Sequence, residues 1–296
     1  MIRSLLAAAL LAAWCTAAAQ SPVRTPFALL GDAPYSQAHA NLLDTVIDEI
    51  NAQKVAFVVH LGDITGGQGP CTDEWFEARR KQFARFAAPF VLVPGDNEWT
   101  DCHRTGYDPM ERLAKIRQLF HSQPVNLPGF TRQSSAYPEH VRWTHDRALL
   151  VGINVPGSNN NVGRTPAMDA ESGTRMSAVF AWLDSAFALV KSSRDLDMLV
   201  VMMQANPDFE GKRRPVDTLD GYAELRVKLE TMAQRLGKPL VVAHGDTHQY
   251  KFDRPSKNAP GLVRIEVDGW PWMGWVLVLT TSDPAKPVSA GRFLNQ

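Results

Sequence analysis

Four Gly-Asp dipeptides, each at the end of a short apolar run, are the residues of this sequence best suited to chemistry. They are Gly31-Asp32, Gly62-Asp63, Gly95-Asp96 and Gly245-Asp246. One such dipeptide alone is typical of a turn. Glycine lets the backbone turn sharply as it leaves a strand, and the carboxyl ends of strands in an α/β sheet line the crevice where ligands bind. Carboxylates that meet there repel one another, and a polyvalent cation or protonation relieves that repulsion. The pattern therefore predicts a metal site.

Further donors lie close to two of these aspartates. His248 follows Asp246 by two residues, a spacing at which side chains of an extended segment share a face. Asn97 and Glu98 come directly after Asp96. Because the set is rich in oxygen and has one imidazole, it favours the harder cations Mg, Mn or Ca, with Fe or Zn as alternatives. We expect one or two divalent metal ions per chain, of which one is firmly bound.

Other polar residues beside the apolar runs have two interpretations each. His60 and His244 immediately precede Gly-Asp pairs, and they are either outer groups around a metal or hydrogen-bonded core histidines. Residues 154–161 are rich in Asn, Gly, Pro and Ser, a composition typical of a tight surface loop. The amides of Asn154 and Asn159 could also hold phosphate or sugar oxygens, so both are candidate substrate-binding residues.

Alternating apolar and amphipathic segments must position these residues. Short runs rich in Val and Leu predict buried strands over 27–30, 55–59, 90–93, 149–153, 199–203 and 240–243. Apolar residues at helical spacing predict helices over 42–50, 113–120, 176–187 and 225–236. This alternation favours an α/β fold in which helices cover the sheets. Runs 262–267 and 275–281 predict a final β-hairpin, with the tryptophan-rich segment 270–275 packed in it rather than stacking on a base or sugar.

The composition indicates the class of protein. The 296 residues are 45% hydrophobic, which is enough for a globular core. Lys and Arg total 31, as do Asp and Glu, so the net charge of +0 excludes a charge-driven nucleic-acid binder. The composition does not shift along the chain, which favours a single domain over residues 20–296.

The first 19 residues have the pattern of an export signal peptide. Arg3 precedes an apolar stretch over 5–14, and Ala17-Ala18-Ala19 offers a cleavage site. The apolar stretch is shorter than the ~20 residues that span a bilayer, so cleavage is favoured over an uncleaved membrane anchor. We therefore expect a periplasmic or secreted protein without membrane attachment once residues 1–19 are removed.

Cleavage of that signal leaves two cysteines, Cys71 and Cys102. Disulfides persist outside the cytoplasm, so these two residues are expected to pair. Two unpaired buried thiols or a soft metal pair are the alternatives.

In their order along the chain, these motifs resemble those of the calcineurin-like metallophosphoesterases. The blocks of that family are Asp-x-His, Gly-Asp-x-x-Asp, Gly-Asn-His-Asp/Glu, a lone His and Gly-His-x-His. The corresponding segments here are 31–32, 62–63, 95–98 and 245–248. The resemblance extends from about Asp32 to His248. It implies a two-sheet β-sandwich flanked by helices in four αββα layers, with two cations bridged by the carboxylate of Asp63.

Several positions depart from the family pattern. Five of them carry other residue types than the motifs require: Pro34, Gly66, Asp96, Asn97 and Asp246. Asn97 stands where the family has its general-acid His, so a leaving group would be protonated from elsewhere, for example by Glu98. At the lone-His block, Gln204 is the best chemical substitute, whereas the spacing from Pro207 favours Ala205. The resulting metal-ligand set is Asp32, Asp63, Asp96, Gln204, Asp246 and His248.

The resemblance implies a metal-dependent phosphoric ester hydrolase that cleaves a phosphate mono- or diester with a metal-activated water. Asn97 and Glu98 are its catalytic candidates, and its partner would be a small phosphorylated substrate. The alternative is a catalytically degenerate binding protein that keeps the fold, which the lost histidines favour. Because the replacements include metal-competent Asp residues rather than apolar ones, we favour an active enzyme.

Overall fold

Two β-sheets form the centre of the molecule. The computed structural model describes residues 24–211 and 219–295, so the expected export signal lies outside the described residues. The strands in chain order are β1 (Phe27–Leu30), β2 (Val58–His60), β3 (Phe90–Leu92), β4 (Thr131–Arg132), β5 (Val141–His145), β6 (Ala148–Gly152), β7 (Met198–Met202), β8 (Leu240–His244), β9 (Lys251–Asp253), β10 (Leu262–Glu266), β11 (Met273–Thr280) and β12 (Val288–Asn295). One sheet has five strands in the order β12-β11-β1-β2-β3, and the other has seven in the order β4-β5-β6-β7-β8-β10-β9.

Helices of widely different length connect these strands. They are α1 (Gln37–Ala52), α2 (Asp73–Phe83), α3 (Pro109–Phe120), α4 (Gly157–Asn160), α5 (Pro166–Ser192) and α6 (Ala223–Arg235), with a 3-10 helix at Thr100–Thr105. Helix α1 shows why they form: the side chain of Ser36 accepts the His39 N–H and so caps the first turn. Its buried residues include Leu43, Val46, Ile47 and Ile50, which recur at helical spacing on one face.

Apolar cores lie between the two sheets and on both outer faces. Between the sheets, Leu29 and Val59 of the five-stranded sheet belong to one buried cluster with Leu150 and Val200 of the seven-stranded sheet. Helices α5 and α6 pack on the outer face of the seven-stranded sheet. Helices α1, α2 and α3 cover the outer face of the five-stranded sheet. These four layers confirm the predicted αββα fold class.

Parallel pairing determines where the candidate residues emerge. Strands β1, β2 and β3 are parallel neighbours in one sheet, and β6, β7 and β8 are parallel neighbours in the other. The residues that follow such strands leave the sheet at the same edge, which is where α/β proteins bind ligands. The predicted strands at 27–30, 90–93, 149–153, 199–203 and 240–243 are confirmed within one residue at either end, and the run at 55–59 forms a strand at its second half.

The predicted hairpin at the end of the chain is wrong. Strand β10 pairs with β8 in the seven-stranded sheet, whereas β11 pairs with β1 in the five-stranded sheet. The segment between them crosses from one sheet to the other, because an apolar run predicts a strand and not its partner. Trp275 of β11 is buried and stacks on Phe293 with ring centroids 4.1 Å apart, as expected for packed core. Trp270 is instead 51% exposed in the crossing segment.

A disulfide connects the loop before α2 to the 3-10 helix. Cys71 and Cys102 form this bond, with their Cα atoms 5.7 Å apart, so the expected pairing is confirmed. Within the described part of the chain, no helix has both the length and the apolar character needed to cross a bilayer.

Candidate functional site

The candidate site lies at the edge where β1, β2, β3 and β8 end. The Gly-Asp dipeptides follow these strands as predicted and bring four carboxylates to one region: Asp32, Asp63, Asp96 and Asp246. Asp32, Asp63 and Asp246 have left-handed φ angles of 52°, 61° and 79°. A left-handed backbone conformation costs a non-glycine residue free energy on the order of 1 kcal/mol, and residues in this conformation cluster at functional sites.

Asp32 and Asp246 contact each other across the ends of β1 and β8. The Asp246 N–H donates to both carboxyl oxygens of Asp32, at 2.9 and 3.0 Å. The Asn206 N–H donates to the Asp246 carboxylate at 3.0 Å. His248 Nε2 lies 3.8 Å from Asp32 Oδ1. A Cβ on Gly245 would lie 2.1 Å from Asp32 Oδ2, so only glycine fits where these two loops meet.

Asp63 accepts hydrogen bonds from residues far apart in the chain. The side-chain amides of Asn97 and Gln204 donate to it at 2.9 and 3.1 Å. The Tyr35 hydroxyl donates to it at 3.1 Å and also lies 3.0 Å from His248 Nε2. Burial, with the nearby carboxylates, raises the pKa of Tyr35 above its usual value, so the hydroxyl stays protonated. Tyr35 thus links the Asp63 and His248 sides of the site.

Asp96 is held by a hydroxyl from α4. Ser158 Oγ donates to Asp96 Oδ2 at 2.7 Å and lies 2.8 Å from each carboxyl oxygen of Asp101. A Cβ on Gly157 would lie 2.7 Å from Asp96 Oδ1, so the loop approaches this carboxylate through a residue without a side chain. Burial, with the charge of Asp96, raises the pKa of Asp101 to about 6.

The buried aspartates carry charge that the protein does not neutralise. Burial raises the pKa of Asp32, Asp63 and Asp96, and neighbouring carboxylates raise it further. Among the described residues, no Lys or Arg forms an ion pair with these three carboxylates, and His248 beside Asp32 is neutral because burial lowers its pKa. The site therefore favours protons or a bound cation.

The donor types fit a hard divalent cation. Carboxylate oxygens, the Gln204 amide and the His248 imidazole are ligands that such ions take in proteins. Within residues 24–211 and 219–295, however, no three His, Cys, Asp or Glu side chains are arranged to hold a metal ion. Several of the carboxyl oxygens instead accept hydrogen bonds, as Asp32 does from Asp246 and Asp63 from Asn97. Metal binding by the predicted set stays a prediction.

Comparison with known proteins identifies the family. The model of the calcineurin-like phosphoesterase family matches residues 25–250. The chain belongs to the calcineurin-like phosphoesterase family. No curated protein sequence matches this chain.

Solved structures of low sequence identity share the phosphoesterase fold. A dimetal phosphatase from Danio rerio is 12% identical, with a TM-score of 0.59 over 90% of this chain and 98% of that chain. Purple acid phosphatase PPD1 from yellow lupin (Lupinus luteus) seeds is 11% identical, with a TM-score of 0.55 over 92% of this chain and 53% of that chain. These likenesses support the four-layer fold.

The two catalytic candidates of this chain occupy different positions. Asn97 lies in the site, because its amide donates to Asp63. Glu98 is fully buried and accepts hydrogen bonds from the backbone N–H groups of Asp63 at 3.0 Å and Gly95 at 2.6 Å. Burial raises the pKa of Glu98 to about 7. Glu98 therefore joins two of the site loops, and a catalytic role for either residue stays a prediction.

Gln204 rather than Ala205 reaches the carboxylate cluster. Its amide nitrogen donates to Asp63, and its amide oxygen accepts the Gly157 N–H. Ala205 contributes only a methyl side chain, which cannot bind a metal. The structure therefore favours Gln204 at the position of the lone histidine.

The two candidate substrate-binding amides contact protein groups outside the carboxylate cluster. The Asn154 amide donates to Glu139 at 3.2 Å in a fully buried position. Asn159 donates to the carbonyls of Val162 and Leu219 at 3.2 and 3.1 Å, and so joins two loops. Their substrate-binding roles stay predictions.

His60 and His244 have the contacts of core histidines. His60 Nε2 lies 2.7 Å from the Ala33 carbonyl, and His244 Nδ1 lies 2.8 Å from the Gly245 carbonyl. Burial lowers the pKa of His60 to about 4, and it also lowers the pKa of His244. Both are neutral, and they contact the backbone of the loops that carry Asp32 and Asp246.

The sequence analysis missed residues that approach the site only through tertiary contacts. Tyr35, Ser158, Asp101 and Arg104 belong to this group. The sequence signal that could have identified Tyr35 was its position, three residues after Asp32 in the same loop. Ser158 is in the Asn-rich stretch, where Asn154 and Asn159 were selected instead.

Proposed function

We propose that the protein is an exported, metal-dependent phosphoesterase that hydrolyses a phosphate mono- or diester. The observation that carries this proposal is the cluster of buried aspartates at the strand ends of a calcineurin-like phosphoesterase domain. Burying a carboxylate without a partner cation is costly, so such a cluster is kept where an external cation compensates it. The packing of the fold alone does not explain why Asp32, Asp63 and Asp96 lie together.

The cation would be held by residues of both sheets. Asp32, Asp63, Asp96, Gln204, Asp246 and His248 form the candidate ligand set. One or two divalent ions bound there, for which we favour Mg, Mn or Ca, would polarise a phosphoryl oxygen and lower the pKa of water. Bound ions would also require Asp63 to exchange hydrogen bonds with Asn97 and Tyr35 for metal contacts.

The chain orients His248 for this role. His248 Nδ1 lies 2.8 Å from the Trp270 carbonyl, so this nitrogen carries the proton and donates. Burial lowers the pKa of His248, which keeps the ring neutral and leaves Nε2 unprotonated, 3.0 Å from the Tyr35 hydroxyl. A second group that fixes the tautomer in this way is the usual arrangement around a metal-binding histidine.

The site favours substrates with good leaving groups. Asn97 has no titratable proton, and Glu98 is engaged with backbone N–H groups, so neither is placed to act as a strong general acid. An alcohol of low pKa, such as an aryl alcohol, departs without protonation. We therefore propose that aryl phosphates are hydrolysed faster than alkyl phosphates.

Export is proposed from residues 1–19 together with the disulfide. A charged residue, an apolar stretch and a small-residue cleavage site are typical of a signal peptide. The Cys71–Cys102 bond supports the proposal, because disulfides persist in the periplasm and outside the cell. The mature chain would act on small phosphorylated compounds there.

Metal replacement tests the enzyme directly. The mature protein is stripped with a chelator, and 4-nitrophenyl phosphate and bis(4-nitrophenyl) phosphate are assayed after Mg, Mn, Ca, Fe or Zn is added back. We expect turnover to return with at least one ion and to disappear again with chelator. A folded protein that hydrolyses neither ester with any ion would contradict the proposal and favour a binding protein.

A further inference from the structure

We propose that the guanidinium of Arg104 binds the phosphoryl oxygens of the substrate, an inference that rests on the proposed function. Arg104 lies in the 3-10 helix that follows the Asp96 loop, and its side chain is 41% exposed. It differs from the buried aspartates in being open to an incoming ligand. No sequence motif marks this residue.

The contacts of Arg104 place it at the rim of the carboxylate cluster. Its Nη2 lies 3.4 Å from Ser158 Oγ, and this hydroxyl donates to Asp96 at 2.7 Å. Its Nη1 donates to the Gly67 carbonyl at 3.1 Å. One hydroxyl group therefore separates the guanidinium from a candidate metal ligand.

Gly67 locates the guanidinium beside Asn97. A Cβ built on Gly67 would lie 2.9 Å from Arg104 Nη1 and 3.1 Å from Asn97 Oδ1. The two side chains thus border the same small space, which a residue larger than glycine would fill. Asn97 in turn donates to Asp63, so the same side chain contacts the carboxylate cluster.

Two guanidinium groups lie at this rim, beside the carboxylates of Asp101 and Asp96. Arg104 Nη1 lies 2.8 Å from Asp101 Oδ2, and Arg164 Nη1 lies 3.8 Å from Asp101 Oδ1. Two guanidinium groups therefore share one carboxylate, whose side chain is only 2% exposed. Asp101 orients Arg104 without cancelling the charge of both arginines.

Phosphate recognition explains such an arrangement. A guanidinium presents planar N–H donors that match two phosphoryl oxygens, and its charge persists at any working pH. Asn97 is neutral where the family motif has a histidine, so the adjacent Arg104 supplies the fixed positive charge on that side. Arg104 would stabilise negative charge on the phosphoryl group, and it would not protonate the leaving oxygen.

Phosphate binding by the full mature chain tests the assignment. Isothermal titration with inorganic phosphate is run on the wild type, Arg104→Ala, Arg104→Lys and a surface control, Arg147→Ala, whose ion pair with Asp197 lies at the start of β6. We expect Arg104→Ala to raise the Kd for phosphate and the KM for 4-nitrophenyl phosphate about 10- to 100-fold. Arg104→Lys should recover part of the loss, and Arg147→Ala should match the wild type.

The outcomes separate this inference from the proposed activity. If the wild type hydrolyses esters but Arg104→Ala has wild-type Kd and KM, the role of Arg104 is overturned and the enzyme stands. If the wild type binds phosphate through Arg104 without turnover, the assignment stands and the activity fails. Absence of phosphate binding by the wild type also overturns the assignment. Arg104→Gln, which keeps hydrogen-bonding capacity without charge, replaces Arg104→Ala if the latter does not fold.

Discussion

Asp63 and Glu139 are both buried carboxylates, yet their surroundings differ. Glu139 accepts two hydrogen bonds from Arg117, at 2.9 and 2.5 Å. Burial acts to raise the pKa of Glu139, but these bonds and the charge of Arg117 lower it below its usual value. Within the described part of the chain, Asp63 receives amide and hydroxyl donors and no guanidinium, and burial raises its pKa. A buried acid with its own cation is neutralised within the fold, whereas a buried acid without one indicates a ligand site.

Replacing Asp63 should have the largest effect on activity. In the metal-supplemented assay, Asp63→Asn should lower kcat/KM on the order of 1,000-fold, about 4 kcal/mol of transition-state stabilisation. Its thermal midpoint should be unchanged or higher, because the variant removes a buried negative charge. Asp184→Asn at an exposed position of α5 is the control. Wild-type turnover by the folded Asp63→Asn protein would contradict the role of the cluster.

Replacing Arg117 should have the largest effect on stability. Arg117→Met leaves Glu139 buried without its cation, so the free energy of unfolding should fall by about 3 kcal/mol in urea denaturation. Activity per folded molecule should stay unchanged, in contrast to Asp63→Asn. The exposed pair of Arg147 and Asp197 offers the control, since Arg147→Met should leave the urea midpoint unchanged. An equal effect of both Arg variants would remove the distinction between the two regions.

Low pH should destabilise the region around Glu139, because this region contains buried histidines that are neutral in the folded protein. Burial lowers the pKa of His121 to about 4, below the unfolded value of about 6.5, so the unfolded chain binds more protons between these pH values. Stability should therefore fall as the pH falls through this window. Between pH 7 and pH 5, the free energy of unfolding should fall by about 2 kcal/mol less in His121→Gln than in the wild type. Parallel stability curves of the two proteins over pH 7 to 5 would show that His121 does not titrate in this way.

Removing the hydroxyl of Ser158 should have the smallest effect of the four. Ser158 holds Asp96 and contacts Arg104, so Ser158→Ala should lower kcat/KM about tenfold while the fold persists. Ser185→Ala, which loses a hydroxyl that accepts from Arg142 away from the site, is the matched control. Equal kinetics in both variants would show that Ser158 does not position Asp96.

Local sequence patterns predicted the elements that position the site. Apolar runs became buried strands, and the Gly-Asp dipeptides became the turns that follow four of them, because a strand end and a glycine turn depend on neighbouring residues. Helix α2 was missed, since its buried residues are Phe76, Arg79 and Phe83 and its apolar face is short. The disulfide was predicted by counting cysteines once residues 1–19 were set aside.

The sequence did not predict which strands pair with each other or which side chains meet in the fold. The apolar runs 262–267 and 275–281 look alike, yet they pair with different sheets. Gln204 was preferred over Ala205 only by chemical type, and its contact with Asp63 now gives a geometric reason.

The amino-acid sequence by itself determined which residues end the strands and which of them are acidic, because these properties are local. The tertiary structure alone decided that Tyr35, Ser158 and Arg104 surround those acids. Their contacts join loops from distant parts of the chain, as Tyr35 joins His248. Only the face-to-face packing of the two sheets brings such loops within hydrogen-bond distance, and no spacing along the sequence encodes that distance.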